Sequence, residues 1–271
     1  MSHNTSPTDK YILVTVSNHE AIATINSLKK NFSTHHIPII ALLPAHDQQL
    51  ITNVVTAGAD DYIVMPVSDI ELQTRITMNI ARAERDQNMH PLTKLPGNTL
   101  IHRVITERIT EALSVLYLDI DNFKAYNDYY GFAAGDKILQ HAAGLLTNAV
   151  TDHGNPTDFV GHLGGDDFVI VSTPEKVDCI AQAICDDFDK TIDQFYQTPD
   201  RLRKNIVVPD RRGIMHTYPL LTVSGALVTN AHRTLQSIAH ISQLAAELKK
   251  YAQSKPNGET GSNYVKDRRK N

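Results

Sequence analysis

The sequence has only two cysteines, no long apolar run and no excess of basic residues. Cys179 and Cys185 lie six positions apart in a stretch with helical periodicity, so their side chains face different sides of a helix. No CxxC pair or neighbouring histidine accompanies them. This spacing favours buried free thiols over a disulfide or a cysteine-based metal site.

The other absences concern membranes and nucleic acids. No stretch approaches the roughly 18 apolar residues of a membrane helix, and the polar N-terminus lacks the apolar core of a signal peptide. The formal charge of −4 argues against general affinity for nucleic acid or membrane surfaces. We therefore expect a cytoplasmic protein with neither kind of partner.

The first half of the chain alternates between two kinds of pattern. Apolar runs of strand length at 11–16, 37–43 and 61–65 are separated by helical patterns at 20–31 and 47–57. Strands that alternate with helices indicate a parallel α/β sheet. A long helix follows, with Ser68 or Asp69 as its cap.

Residues 38–76 resemble the second half of a response-regulator receiver domain, above all in the segment AGADDYI followed by a proline step. Met65 stands where that family has a lysine, and the acids before residue 47, Asp9 and Glu20, do not follow an apolar strand. The resemblance therefore implies a partial, flavodoxin-like receiver domain over residues 1–75 that cannot be phosphorylated. We expect it to serve as a dimerisation or docking scaffold.

The helix that links the two halves carries one apolar stripe: Leu72, Ile76, Ile80 and Ala83. We assign residues 76–90 as a linker or signalling helix. The stripe is compatible with a coupling stalk between domains, and equally with an ordinary helix that packs on its own sheet.

Acidic residues in the second half follow two β-type runs. The run Val115–Leu118 delivers Asp119, and the paired Gly164–Gly165 predicts a tight hairpin that carries Asp166 and Asp167. Carboxylates at such positions can share Mg²⁺, which binds to carboxylates and substrate phosphates.

A strand that gives way to a helix offers backbone N–H groups to a phosphate, and this occurs just after Asp121. Lys124 would add positive charge there. These patterns predict a nucleotidyl- or phosphoryl-transfer site. For either segment alone, a solvated turn rich in Asp and Gly is the competing interpretation.

Taken together, the motifs DIDNFKAYND, YGFAAGD and GGDDF, in this order, resemble the GGDEF family of diguanylate cyclases over about residues 90–265. The entry segment HPLTKLPGN, the strand LTVSGAL and the helix SQLAAELKKYAQS also match family segments. The resemblance implies a palm-like α+β domain over residues 91–271, with a five-stranded, largely antiparallel central sheet.

The resemblance also implies roles for individual residues. Asp119, Asp166 and the Ile120 carbonyl would bind Mg²⁺, with Mn²⁺ as an alternative, and Asp166, Asp167 and Lys124 would act in catalysis. The residues implied to bind GTP are Leu92, Asn127 and Asp136 at the guanine, and Asn122, Phe123 and Lys249 (or Lys250) at the phosphates. Two protomers would face each other and join two GTP molecules into cyclic di-GMP with release of pyrophosphate.

Several positions depart from the family pattern. Asp167 replaces the usual glutamate, His162 an arginine, Lys94 a glycine and His90 a leading aspartate. Residues 155–158 read NPTD where the family's RxxD product-inhibition motif would fall, so we expect no feedback inhibition there.

These departures leave three hypotheses. The domain is an active cyclase, with either ordinary or slow turnover; a degenerate domain that senses GTP or cyclic di-GMP; or a structural dimerisation module. The retained Asn127 and Asp136 favour the first. The basic segment 201–218 contains Arg201, Arg203, Lys204, Arg211 and Arg212. We interpret it as a solvated insertion, with contact to an acidic partner or a phosphate as the alternative.

Overall fold

A computed structural model describes residues 10–209, 212–254 and 261–269. The chain divides into two compact units, residues 1–88 and 89–271, and each is described by itself. Within the described residues, no helix combines the length and apolar character needed to cross a bilayer.

The first unit is a three-stranded parallel sheet with helices between its strands. Its elements are β1 (Ile12–Thr15), α1 (His19–Lys30), β2 (Ile39–Leu43), α2 (Gln48–Thr56), β3 (Asp61–Val64) and α3 (Asp69–Gln87). The strands pair in the order β1-β2-β3. Ile25 of α1 and Val54 of α2 are fully buried in a core with one face of the strands. The predicted parallel α/β arrangement is therefore confirmed for this unit.

Helix α3 begins where the sequence predicts. The Ser68 hydroxyl accepts a hydrogen bond from the Glu71 backbone N–H at 3.2 Å, which satisfies one of the free donors at the helix start. Arg75 and Asn79 of α3 both bind the Asp61 carboxylate of β3, at 3.2 and 3.0 Å. The helix runs unbroken through residue 75, and the domain boundaries at 75 and 90 stay predictions.

The second unit contains a larger sheet surrounded by helices. Its elements are α4 (Asn98–Arg108), β4 (Ser114–Asp121), α5 (Phe123–Tyr130), α6 (Phe132–His153), β5 (Phe159–Gly164), β6 (Asp167–Ser172), α7 (Val177–Thr191), a 3₁₀ turn (Ile192–Phe195), α8 (Thr198–Arg203), β7 (Asn205–Pro209), β8 (Met215–Pro219), β9 (Thr222–Thr229), α9 (Ile238–Gln253) and β10 (Asn263–Lys266).

Five strands form the central sheet, in the order β10-β9-β4-β6-β5. β10 pairs with β9 in parallel, and the other neighbours are antiparallel. The expectation of a five-stranded, largely antiparallel sheet is thus confirmed. The sheet is mixed because of its one parallel pair. β4 is longer than predicted: its ladder continues through Asp121, which pairs with Thr222.

Side chains of β4 alternate between two cores, as the pleat requires. Leu116 and Leu118 pack with α6 and α7 on one face. Val115 belongs to the core on the other face, formed with α4 and α9, and Tyr117 packs against it. Asp119 continues this second series and therefore faces the side of the sheet that α9 covers.

Two predictions outside the sheet can be compared with the structure. The basic segment folds as α8 and a β7–β8 hairpin, although Arg211 lies outside the described residues. The predicted burial of the cysteine side chains is confirmed for Cys185 but is wrong for Cys179. Cys179 is exposed, whereas Cys185 faces the core six residues along α7.

Candidate active site

Three carboxylates from two neighbouring strands converge at one end of the sheet. Asp119 of β4 lies opposite Asp167 of β6 in the antiparallel register, and Asp166 precedes Asp167 in the β5–β6 turn. One carboxylate oxygen from each of the three lies within 4.8 Å of the others. Oxygen ligands at this spacing suit a hard divalent cation.

The β5–β6 turn depends on its two glycines. Gly164 has φ 134° and Gly165 has φ 61°, conformations that glycine adopts readily because it has no Cβ. The turn leaves Asp166 outside the regular strand pairing and starts β6 at Asp167. The predicted hairpin, with its acids at the turn, is confirmed.

A lysine from α9 lies among these carboxylates. The Nζ atom of Lys249 is 2.6 Å from Oδ2 of Asp119 and 2.5 Å from Oδ1 of Asp167. Lys250, the alternative in the sequence, is exposed. Four residues after Lys249 on the same helix face, Gln253 donates from Nε2 to Oδ1 of Asp119 at 2.8 Å. Gln253 was not predicted as a site residue, although its i+4 spacing from Lys249 was a usable signal.

Burial shifts the pKa values of the acids in this cluster. Burial raises the pKa of Asp119 from 3.8 to about 6, against the lowering effect of Lys249. Burial also raises the pKa of Asp166. Burial alone would lower the pKa of Lys249, but its hydrogen bonds to Asp119 and Asp167 raise it overall. The ammonium is therefore held charged among carboxylates of which one, Asp119, is costly to ionise.

Asp121 is held apart from this cluster. Its Oδ2 accepts hydrogen bonds from the hydroxyls of Thr222 and Ser224 on β9, at 2.7 and 2.8 Å. Two residues of the neighbouring strand therefore orient this carboxylate, which supports the end of β4.

The step from β4 into α5 forms a turn suited to an anion. Asn122 has φ 64°, in the left-handed region, and places the first N–H groups of α5 at the end of the strand. The first N–H groups of a helix lack carbonyl partners within it and favour negative charge. Phe123 is buried and anchors the helix, while Lys124 is exposed. Asn122 lines a cavity of about 890 Å³ together with Asp121 and Gln253.

The predicted guanine contacts lie on α5, α6 and the entry loop. Oδ1 of Asn127 is buried and has no hydrogen-bond partner among the described residues. It faces Gly135 of α6, where a Cβ would lie 1.8 Å from this oxygen. Leu92 packs against the core that contains Phe123, and Asp136 is exposed. An unsatisfied acceptor beside a glycine fits a ligand that donates hydrogen bonds, such as the guanine edge.

Two departures from the family pattern contact each other. The rings of His90 and His162 lie 3.7 Å apart between centroids, and His162 is buried. Each residue stands out separately in the sequence, but their contact was not predicted.

The NPTD segment has a structural role. Oδ2 of Asp158 accepts hydrogen bonds from the Asn155 backbone N–H at 2.8 Å and from the Ser172 hydroxyl at 2.7 Å. These bonds close the turn before β5 and join it to the end of β6.

The structure thus brings together Asp119, Asp166, Asp167 and Lys249. Lys124, Asn127, Asp136 and Leu92 lie on the adjoining α5, α6 and entry loop without direct contact to this cluster among the interactions described. The role of each residue stays a prediction.

Comparison with known proteins identifies a family and relatives of this chain. The family model described as "Diguanylate cyclase, GGDEF domain" matches residues 87–243, more than half of the chain. The bifunctional diguanylate cyclase/cyclic di-GMP phosphodiesterase MucR of Pseudomonas aeruginosa is 32% identical over 149 residues, which are 50% of this chain and 21% of MucR. The diguanylate cyclase DosC of Escherichia coli is 34% identical over 97 residues, 34% of this chain and 20% of DosC. The chain therefore spans about a fifth of the length of these relatives.

A solved structure has a similar fold. The coiled coil and GGDEF domain of DgcB from Caulobacter crescentus, in complex with cyclic di-GMP, matches with a TM-score of 0.52 and 18% identity. The match covers 80% of this chain and 100% of the DgcB chain. At this identity the likeness establishes a shared fold.

Proposed function

The chain belongs to the GGDEF family of diguanylate cyclase domains, and we propose that it condenses two GTP molecules into cyclic di-GMP. The observation that carries this proposal is the convergence of Asp119, Asp166 and Asp167 beside the start of α5. MucR and DosC, whose names include this activity, support it.

The residues around the cluster fit a divalent cation. We propose Asp119, Asp166 and the Ile120 carbonyl as ligands of Mg²⁺, or of Mn²⁺, which accepts the same oxygen donors. When bound, the cation would neutralise charge on the α-phosphate and on the leaving pyrophosphate. The donor set is entirely oxygen, and the Lys249 ammonium already lies between two of the carboxylates, where positive charge is favourable.

The nucleotide would be held by its two ends. N–H groups of Asn122 and Phe123, with Lys124 and Lys249, would bind the β- and γ-phosphates. Asn127 and Asp136 would accept hydrogen bonds from the guanine edge, beside Leu92. Asn127 has a buried acceptor in need of a donor, which the guanine N–H groups would supply.

The first reaction step joins two GTP molecules. The 3′-hydroxyl oxygen of one attacks the α-phosphorus of the other, the bond to the bridging oxygen breaks, and pyrophosphate leaves with the electron pair. The hydroxyl proton passes to solvent or to an acceptor in the site, for which we propose Asp167. In a second step of the same kind, the remaining 3′-hydroxyl attacks the remaining α-phosphorus within the linear dinucleotide, which closes the ring and releases a second pyrophosphate.

One domain offers one such nucleotide site, so the reaction requires two domains that face each other. We therefore propose a homodimer, which would supply the proximity of the two nucleotides. GTP is an intracellular nucleotide, and this substrate is the basis for proposing a cytoplasmic location.

For the first unit, we propose a shortened receiver-like domain that serves as a dimerisation or docking scaffold. Its parallel β1-β2-β3 sheet with intervening helices is compatible with that origin. Met65 in place of the lysine supports a role without phosphoryl transfer.

Incubation of the purified chain with GTP and Mg²⁺, followed by chromatography and mass spectrometry, tests the proposed reaction. Cyclic di-GMP should form with the native chain and with Asp152→Ala, an exposed acid on α6, and not with Asp166→Ala. GTP binding without product in the native chain would contradict catalysis and support the sensor hypothesis, with Asp167 and His162 as the changes to examine.

A further inference from the structure

We propose that His162, braced by His90, is a positioning residue that fixes the Gly164–Gly165 turn and thereby sets the place of Asp166. The inference rests on the proposed function for its catalytic consequence, because Asp166 is a proposed metal ligand. Its structural content, the restraint of the turn, stands independently of turnover.

The hydrogen bonds of His162 place a proton on its Nε2. Its Nε2 lies 3.1 Å from the Gly165 carbonyl oxygen, and its Nδ1 lies 3.0 Å from the Thr93 hydroxyl. A carbonyl only accepts, so Nε2 carries the proton and donates it to Gly165. In the neutral ring Nδ1 is an acceptor, and the Thr93 hydroxyl donates to it. The neutral ring satisfies both partners at once.

Ring packing fixes the plane of His162. The imidazole ring of His162 packs against the ring of His90, at 3.7 Å between centroids. It also stacks on the ring of Phe168, at 4.3 Å with an interplanar angle of 22°. Only 1% of His162 is exposed. Burial lowers the pKa of both histidines, which agrees with a neutral stacked pair. Asp167 is the charged group that acts on His162 from the neighbouring strand.

The pair joins the entry loop to the hairpin. The His162 backbone N–H donates to the Pro96 carbonyl at 2.8 Å, and the His90 N–H donates to the Leu95 carbonyl at 2.7 Å. The loop that carries His90 and Thr93 is therefore tied to β5 through backbone as well as side chains.

The turn needs such a restraint. Gly164 and Gly165 have no side chains to pack, and a Cβ built on either would meet no atom within 4 Å. The β5–β6 register is irregular between His162 and Gly164. Two glycines in open space are costly to order, so a hydrogen bond from a rigid buried ring to the Gly165 carbonyl restricts the turn just before Asp166.

The contact between His90 and His162 also links two departures from the family pattern, which can be understood as one paired substitution. Each stands where the resemblance places a charged residue, an aspartate at position 90 and an arginine at position 162. Because the rings touch, a change at one position alters the surroundings of the other. A lone arginine at position 162 would bury an unpaired charge, whereas an aspartate at position 90 would neutralise it.

Three substitutions at His162 separate packing from hydrogen bonding. His162→Phe keeps a ring between His90 and Phe168 but removes both hydrogen bonds. His162→Gln places an amide donor near the Nε2 position, and His162→Asn places its polar group near the Nδ1 position. His141→Phe is the matched control, since His141 also packs on a phenylalanine and binds a threonine hydroxyl, Thr191, away from the carboxylates.

Hydrogen–deuterium exchange of residues 164–167 reads the restraint directly, without turnover. We expect His162→Phe to speed exchange by about tenfold or more, His162→Gln to restore most of the protection and His162→Asn to restore little. His141→Phe should leave the turn unchanged. Native exchange in His162→Phe, or better protection in the Asn than in the Gln variant, would overturn the proposal.

Kinetics then test the catalytic consequence. We expect His162→Phe to lower kcat by about tenfold to a hundredfold and to change KM for GTP less than kcat, because most of the proposed nucleotide contacts lie outside the turn, on α5, α6 and α9. Faster exchange with unchanged kcat would overturn the link to Asp166. If the native chain forms no cyclic di-GMP, the proposed function fails, while the exchange experiment still decides the restraint.

A double substitution tests whether His90 and His162 act as a pair. His162→Arg alone should speed exchange of the turn, and His90→Asp/His162→Arg should restore protection to within about threefold of native. Independent, additive effects of the two substitutions would contradict the proposal that they act as one pair.

Discussion

Nζ of Lys249 lies 2.6 Å from Oδ2 of Asp119, so the protein itself places a positive charge where we propose that a metal ion binds. The same ammonium also contacts Asp167. Gln253 donates a second hydrogen bond to Asp119. Metal and lysine would therefore compete for the same carboxylate oxygens.

Lys249→Met should separate the two roles of this residue. Without nucleotide, the variant should bind Mn²⁺ more tightly than the native chain, because no ammonium has to be displaced. Turnover of GTP should nevertheless fall by about 10²-fold or more, since a cation aimed at the phosphates is lost. Calorimetry with Mn²⁺ and a product assay measure the two effects.

Lys250→Met is the control for this experiment, because Lys250 is the exposed neighbour on α9. It should leave both Mn²⁺ affinity and turnover close to native. Weaker Mn²⁺ binding by Lys249→Met would show that the ammonium does not occupy the metal position.

The raised pKa of Asp119 predicts how stability depends on pH. This pKa is about 6 in the folded chain against 3.8 for a free side chain, so the folded state binds more protons between these values. The free energy of unfolding of the metal-free domain should therefore fall as pH rises from about 4 to about 6, by up to roughly 3 kcal/mol. Urea unfolding in the presence of a chelator, repeated across this range, measures the change.

Asp119→Asn removes the titrating group and should weaken the pH dependence of the free energy of unfolding between about pH 4 and pH 6. Above pH 6 the metal-free variant should be at least as stable as the native chain, because a neutral amide avoids the cost of a buried carboxylate. It should also lose stabilisation by Mg²⁺. A native-like pH profile in Asp119→Asn would mean that other groups produce the dependence.

Asp167→Glu restores the acid that the family pattern places at this position. The added methylene extends the carboxylate, and we expect kcat to rise by about tenfold or more if the shorter side chain misplaces it. The comparison requires kcat and KM for GTP under saturating Mg²⁺. Unchanged or lower kcat would indicate that the contact of Asp167 with Lys249 suits the shorter side chain.

Gly135→Ala should impair nucleotide binding while the fold persists. The new Cβ would lie 1.8 Å from Oδ1 of Asn127, so the amide must move from its place. We expect GTP affinity to fall by about tenfold, in line with the loss of one or two hydrogen bonds. Calorimetric titration with GTP in the presence of Ca²⁺, an oxygen-seeking cation that need not support turnover, measures this affinity.

Gly144→Ala on the same helix is the matched control, because its Cβ would meet nothing within 4 Å. It should preserve GTP affinity and increase helix stability by about 0.5–1 kcal/mol. Equal affinity losses in both variants would assign the effect to α6 as a whole rather than to Asn127.

Much of this molecule was predictable because its signals are local. Ser68 caps α3, Gly164 and Gly165 form the hairpin turn, and the apolar run Val115–Leu118 lies within β4. Each depends on side chains close together in the sequence, where periodicity and turn chemistry act directly.

The relationships that could not be predicted from the sequence are long-range contacts. Gln253 reaches Asp119 across 134 positions, and His162 meets Thr93 across 69. Periodicity does not encode which residues of distant segments become neighbours. The length of β4 was underestimated for a related reason: Asp119 and Asp121 interrupt the apolar pattern, yet the ladder with β9 holds both in the strand.

The contact between Gly135 and Asn127 also has a consequence for protein design. Since position 135 admits only a hydrogen atom beside Oδ1 of Asn127, any larger residue there must displace this proposed guanine contact. Substitutions of graded size, Gly to Ala to Ser, would give a series of domains with the same scaffold and an Asn127 amide displaced to different extents. Such a series would allow ligand occupancy to be reduced in measured amounts, without substituting any proposed nucleotide contact or metal ligand.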